Sequence, residues 1–416
     1  MSPDADRPST DYTRRAVLSR TSAALATSLS ALTAGCLSGL PPLGSDQRYG
    51  RLRAPAVEPP SYRRWLPALS SVAQVPQVPG GYHFTVLTDA AGRSDAPELI
   101  ALRRAHVKAA TDYFGVGFAA YDRIITTMFG TVLEADFDPQ TVTETLPQTR
   151  YAHDGTYRDY DVFAREDVPR RVAVGDGTLV WTSAYHHDAP ALEALVDAGA
   201  GERPRFHEAS RPFDRLTTAA GGPPYLGVNA QLQDPTGRAA LLADSFRFGE
   251  DAAYQLVQYR YRDDPPTAQQ LEDALRTDDF RFADPARAFD VAVDGRLATV
   301  EARVPYRDDG AEPVDYPQVT WGVDVDADAD TVTFRHEGGD AVPAHRLFFD
   351  VGRPAAPGRI DKRPIWQGVE TVDTGSTATV DLSDLEDPTD VSLVYATSDV
   401  AFHVLFGVEL WGDRDG

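Results

Sequence analysis

From Tyr82 onward, apolar positions recur in a regular rhythm. Residues 83–87 alternate and predict a strand. Residues 97–114 place Leu99, Leu102, His106, Ala109 and Tyr113 three or four apart, the spacing of one helical face. A second helix is predicted over 119–128. Residues 131–137 alternate as a strand, Asp138-Pro139 opens a short helix to Leu146, and 157–164 read as one strand. Residues 171–183 read as a hairpin turning at Gly175-Asp176-Gly177, and 189–198 as a helix that stops at Gly199.

The same order returns downstream. Residues 254–261 predict a strand, Asp264-Pro265-Pro266 opens a helix through Leu271 to Leu275, and 288–304 form a hairpin turning at Asp294-Gly295. The two hairpins share Val-Ala-Val, then Asp-Gly, then Leu: Val172-Ala173-Val174 with Asp176-Gly177 and Leu179, and Val291-Ala292-Val293 with Asp294-Gly295 and Leu297. The expectation is an α+β domain over 82–314 built from duplicated strand–helix–hairpin units. Beyond Gln318, helix signals nearly vanish. Residues 319–325, 331–335, 345–350, 377–382, 391–396 and 402–410 alternate as short strands between Gly, Pro and Asp turns. That pattern predicts an all-β antiparallel sandwich over 315–416.

Two resemblances add to this reading. Thr331-Val332-Thr333-Phe334-Arg335-His336-Glu337-Gly338-Gly339-Asp340-Ala341-Val342 resembles the strand-and-turn motif of archaeal type IV pilin-like β-domains. Val391-Ser392-Leu393-Val394-Tyr395, with Val404-Leu405, is similar to their closing strands. At the other end, Thr13-Arg14-Arg15-Ala16-Val17-Leu18 resembles a twin-arginine export signal, and Leu32-Thr33-Ala34-Gly35-Cys36 resembles a lipobox. These imply a signal peptide over 1–35 and a lipid on Cys36. The residues between, 36–81, are Pro-rich and slightly basic, and are expected to form a tether.

Charge narrows the partners. The chain of 416 residues has a formal net charge of -23, with two lysines, Lys108 and Lys362, among its 40 basic residues. A surface this acidic repels nucleic acid, so no nucleic-acid partner is expected. Lysine depletion with an excess of Asp resembles the proteins of extreme halophiles, and a haloarchaeal source is expected. Cys36 is the one cysteine, so disulfides and cysteine-ligated metal sites are excluded, and the one asparagine, Asn229, is not in a glycosylation sequon.

Three local patterns are candidates for chemistry. Gly115-Val116-Gly117-Phe118-Ala119-Ala120, with Asp136 beyond, fits a dinucleotide fingerprint, but a helix stands where a strand is needed and the glycines read as a helix break. Asp326-Ala327-Asp328-Ala329-Asp330 with Glu337 mimics a calcium loop, but Thr331 occupies the position that needs glycine. His186-His187-Asp188 gathers potential ligands, which His153 and His207 could join. Adjacent strand histidines face opposite ways, and Asp188 reads as a helix cap. No G-x-S-x-G, H-E-x-x-H or Walker A motif occurs.

The expected protein is therefore a lipid-anchored cell-surface module of a halophile, on the extracellular side of the membrane. It serves binding, adhesion or envelope organisation, with an unknown surface ligand or envelope protein as partner and no catalytic residue, metal or cofactor. The alternative is an envelope hydrolase or metalloenzyme with a site near His186 and His187.

Overall fold

A computed structural model describes residues 47–49, 52–72, 82–88, 92–182, 189–229, 236, 239–276, 289–308, 310, 313–352, 363–383, 390–397 and 402–410. All belong to one compact unit, Asp46–Gly416. Arg14, Arg15 and Cys36 lie outside the described residues, as do His186, His187 and Asp188.

The fold is mostly antiparallel β, with one dominant sheet. Its strands and helices run β1 (Gln47–Tyr49), β2 (Leu52–Ala54), β3 (His83–Thr88), α1 (Glu98–Ala110), β4 (Tyr121–Thr127), β5 (Gly130–Ala135), α2 (Pro139–Thr145), β6 (Ala152–Tyr157), β7 (Tyr160–Ala164), β8 (Arg171–Gly175) and β9 (Thr178–Thr182). Then come α3 (Ala189–Ala200), α4 (Phe206–Ala209), α5 (Arg211–Ala220), β10 (Tyr225–Asn229), β11 (Ala239–Phe248), β12 (Ala252–Tyr261), α6 (Ala268–Leu275), β13 (Phe289–Asp294) and β14 (Leu297–Pro305). Twelve of these strands form one sheet, in the order β13-β14-β12-β11-β10-β3-β4-β5-β9-β8-β7-β6.

Apart from β7 and β6 at one edge, that order is symmetric about the antiparallel β3–β10 pair. Outward from β3 run β4, β5, β9 and β8; outward from β10 run β11, β12, β14 and β13. The two hairpins with matching sequences, β8–β9 and β13–β14, therefore occupy corresponding places. Each turns through a glycine at positive φ, Gly177 at 62° and Gly295 at 55°, where a side chain would be strained.

Helices cover both faces. On one face, Leu192 and Leu195 of α3 and Phe213 and Leu216 of α5 pack on Phe84, Val86, Ile125, Val132 and Val180. On the other, Ile100 of α1 and Val142 of α2 pack on Leu87, Ile124, Leu133 and Leu179, and α6 closes a separate cluster with Val257, Tyr259 and Val300. The central strands are buried on both sides, which erases the polar-apolar alternation of a one-faced sheet.

The C-terminal residues form smaller sheets from β15 (Val319–Asp326), β16 (Thr331–Gly339), β17 (Val342–Pro343), β18 (Leu347–Gly352), β19 (Arg363–Pro364), β20 (Thr371–Val372), β21 (Thr377–Asp381), β22 (Asp390–Ala396) and β23 (Phe402–Glu409). One is ordered β15-β16-β21 and another β19-β18-β22-β23, and they share a core of Trp321, Phe334, Leu347, Leu393 and Phe406. Helix α1 joins this core through Ala105 and Ala109 while Ile100 stays in the core of the large sheet. Its small residues let it lie close to both.

An ionic seam reinforces that joint. Arg165, its side chain fully buried, reaches Asp167 at 2.7 Å and Glu337 of β16 at 2.8 Å. Arg335 pairs with Asp167 at 3.0 Å, with Glu337 at 3.1 Å and with Asp324. Beside it Asp112 pairs with Arg170 and accepts from Tyr151 Oη at 2.8 Å.

Three expectations are corrected. Residues 119–128 are not a helix: after a 3-10 turn at Phe118–Ala120 they form β4, paired with β3 and β5. Tyr121, Ile124, Ile125 and Met128 mimic helical spacing because β4 is buried on both faces. Residues 157–164 are not one strand but the turn and second arm of the β6–β7 hairpin, with Arg158 at φ 53°. Within the expected tether 36–81, residues 52–72 pack into the body. Tyr62, Trp65 and Leu66 are core residues, Leu66 O accepts from Phe206 N at 2.8 Å, and Arg63 binds Asp214 at 3.0 Å. Aromatic side chains there outweigh the proline content.

Candidate ligand cleft

A cleft of about 530 Å³ lies between the end of α1 and the C-terminal sheets. Its volume falls within the roughly 300–1,000 Å³ of small-molecule pockets. Pro313, Pro317 and Pro343 stiffen its rim. The polar groups come from segments far apart in sequence, brought together by the packing of α1 onto the second core.

Lys108 arrives from the last turn of α1, where a cation also suits the helix dipole. Its Nζ lies 2.8 Å from Asp315 and 3.1 Å from Asp340. The lysine side chain is 14% exposed while the two carboxylates are 55% and 49% exposed, so the acids face the solvent and the amine sits behind them. Asp340 is fixed by its neighbours: its Oδ2 accepts from Gln318 N at 3.0 Å, and its own N donates to Gln318 O at 2.9 Å. Across the cleft, Arg346 donates to Tyr395 Oη at 3.0 Å.

An aromatic wall flanks these charges. Tyr316 stacks on His403 with ring centres 4.7 Å apart, and His403 lies 4.4 Å from His106 of α1. Tyr395 meets Tyr316 edge-on at 6.0 Å. Burial and then the neighbouring Tyr395 raise the Tyr316 phenol above its ordinary range. Burial lowers the His106 imidazole, and burial followed by the charge of His106 lowers His403 to about 4.

This arrangement can hold a polar ligand through hydrogen bonds and charge. Lys108, Asp315, Asp340 and Arg346 are each engaged with a neighbour, and none stands as a nucleophile beside a base. Among the described residues, no group of three or more His, Cys, Asp or Glu is placed to hold a metal.

The sequence candidates fall elsewhere. Gly115 and Gly117 lie between α1 and β4, with no strand before them. Asp326 caps the β15–β16 turn, its Oδ1 accepting from Asp328 N at 3.1 Å and Ala329 N at 3.0 Å, while Glu337 is buried in the ionic seam. His153 lies on β6, 3.9 Å from Asp161, and His207 lies on α4. The cleft itself was not anticipated. A signal was present in Lys108, one of two lysines among the chain's 40 basic residues.

A second polar cluster is closed from solvent. On the α5 side of the large sheet, Arg247 donates to Pro55 O at 3.1 Å and Ala220 O at 3.3 Å. On the same face, by strand register, lie Gln258 and Glu301. Glu301 is 1% exposed, and neither of its carboxyl oxygens has a hydrogen-bond partner; the same holds for both amide atoms of Gln258. Burial raises the Glu301 carboxyl to about 8, against a smaller opposing effect of Arg247. Strand β2 packs against β14 beside it.

No family model matches this sequence, and no curated protein matches it. Among solved structures, it is similar to crystal form I of TP0453, at 8% identity and a TM-score of 0.35, covering 57% of this chain and 94% of that one. Crystal form III of TP0453 aligns at 10% identity and a TM-score of 0.33, covering 57% and 95%. Similarity at that level carries no argument about function.

Proposed function

We propose that this chain is a non-catalytic binding protein of the cell envelope, exported through the Arg14-Arg15 signal and held to the membrane by a lipid on Cys36. It faces the extracellular side and takes a small polar ligand in the cleft around Lys108. The observation that carries the binding reading is the cleft itself: a rigid-rimmed concavity whose charged groups are already satisfied by one another. Preorganised polar groups of that kind suit recognition better than chemistry.

The finer architecture belongs to the same proposal. Residues 82–314 form a duplicated α+β unit, supported by the symmetric strand order about β3–β10 and the matching hairpins. Residues 315–416 form an antiparallel sandwich of the pilin-like kind, supported by two sheets that share one core. A halophilic source is supported by the net charge of -23 and the two lysines.

The test is a thermal-shift screen of amino acids, sugars, polyamines and short peptides against the full chain and its Lys108→Met and Arg346→Met variants. At least one class should raise the melting temperature of the native protein and lose that effect in both variants. Stabilisation by no compound, or stabilisation that survives both substitutions, would sink the cleft as the ligand site.

A further inference from the structure

We infer that His106 and His403 form an acid-sensitive latch that fastens α1 to the edge strand β23. The two imidazoles come from separate parts of the fold and meet at 4.4 Å between ring centres, inclined at 35°. Tyr316 completes the group from a third segment, stacked on His403 at 4.7 Å and 17° and 5.5 Å from His106. Neutral rings at these distances attract; two imidazolium rings in the same places repel.

The position of His403 makes the contact consequential. β23 is the outer strand of the sheet β19-β18-β22-β23, and α1 packs against it. Phe402 and Val404 point outward, 41% and 44% exposed, while Leu405 is buried in the shared core. His403 therefore sits where the inner face of an edge strand meets solvent, with α1 as its cover.

Along α1, Glu98 stands in the first turn, two turns from His106, and the charged groups nearer the rings are occupied elsewhere. On α1, Arg103 pairs with Asp244 at 2.9 Å, Arg104 lies over the Phe118 ring, and Lys108 is held by Asp315 and Asp340. From the C-terminal sheets, Arg346 is bound to Tyr395, and the Tyr316 phenol stays neutral. No carboxylate among these nearer groups is left over to neutralise a second imidazolium. His106, the more exposed of the pair, takes the first proton, and that charge then opposes the second on His403.

The direction of the pH effect follows. Both imidazoles lie below their ordinary value of 6.5 in the folded protein, His403 at about 4. The unfolded or undocked chain therefore binds protons that the latched form refuses. Latching is fully favourable above pH 6.5 and weakens as the pH falls towards 4. Opening it moves Tyr316, a wall of the cleft. The latch does not depend on which ligand the cleft takes.

Two readouts on the full-length protein test this at constant salt. Amide exchange, corrected for the intrinsic pH dependence, should show protection at 98–110 and 402–410 falling about tenfold or more between pH 7 and 4. The same segments should stay protected in His403→Gln, which keeps a polar side chain but cannot charge. NMR titration of the imidazole protons supplies the second readout: His403 should titrate well below 6.5, and move upward in His106→Gln, a change at an exposed helix position that leaves folding intact. Parallel loss of protection in the native protein and His403→Gln, no loss in the native protein, or ordinary titration of His403 would each overturn the latch.

Discussion

The indole of Trp65 fills the space that a side chain at Gly199 would need. Gly199 lies within α3, and a Cβ there would overlap the six-membered part of that ring. This contact seats the N-terminal segment 52–72 on the body, and one hydrogen bond holds the indole in place. Its Nε1 donates to Glu134 at 2.8 Å, and Arg64 pairs with the same carboxylate at 2.5 Å.

Gly199→Ala should therefore reverse the usual helix rule. Alanine in a helix interior ordinarily gains up to about 1 kcal/mol over glycine. Here overpacking should cost about 1–3 kcal/mol, giving a net loss on chemical denaturation and faster proteolysis within 52–72. A more stable Gly199→Ala protein would show that Trp65 is not seated against α3.

The ionic seam predicts strong coupling between its members. Arg165→Met leaves Glu337 buried beside a lost partner and should cost about 3–5 kcal/mol. Glu337→Leu should cost a similar amount, and the double variant less than the two together. Strict additivity in the double-mutant cycle would mean the two residues do not interact across the joint.

Glu301 sets a dependence of opposite sign to that of the histidine pair. Its folded value of about 8 lies above the ordinary 4.5, so the folded state holds this proton more tightly than the unfolded one. Its burial costs least below pH 4.5, and stability is lost as the pH rises through 8. Glu301→Gln should remove that slope and gain roughly 1–3 kcal/mol at pH 9 relative to the native protein. Equal slopes in denaturation at pH 5 and 9 would contradict a neutral, buried Glu301.

Anchoring is tested by fractionation. Cys36→Ser removes the acceptor for lipid, so the protein should leave the membrane fraction or accumulate as uncleaved precursor. Lysines at Arg14 and Arg15 should block export separately. Processed Cys36→Ser protein that stays with the membrane would end the lipoprotein reading.

How much was legible in the sequence differed by element. The β8–β9 and β13–β14 hairpins were plain, because Asp-Gly fixes the turn within a few residues. β4 was misread because strands buried on both faces carry no alternation, and Tyr121, Ile124, Ile125 and Met128 fall at helical spacing by coincidence. Residues 52–72 were misread because their prolines suggested a spacer, while Tyr62 and Trp65 decide the packing. Helix α5 and strands β10 and β11 went unassigned, although Ser210 with Pro212 at the start of α5 and Gly221 at its end are cap signals that the structure uses. The cleft was hidden for a different reason: Lys108 and Asp315 are 207 positions apart, and only the packing of α1 against both cores brings them together.

The pairing of β3 with β10 governs how the chain must be assembled. Phe84 meets Val228 across the middle of the sheet, with β4 to β9 and helices α1 to α5 lying between them in sequence. The centre cannot close until synthesis has passed Asn229, and until then β3 keeps one bare edge open to the wrong partner. Topologies dominated by such distant pairings fold slowly.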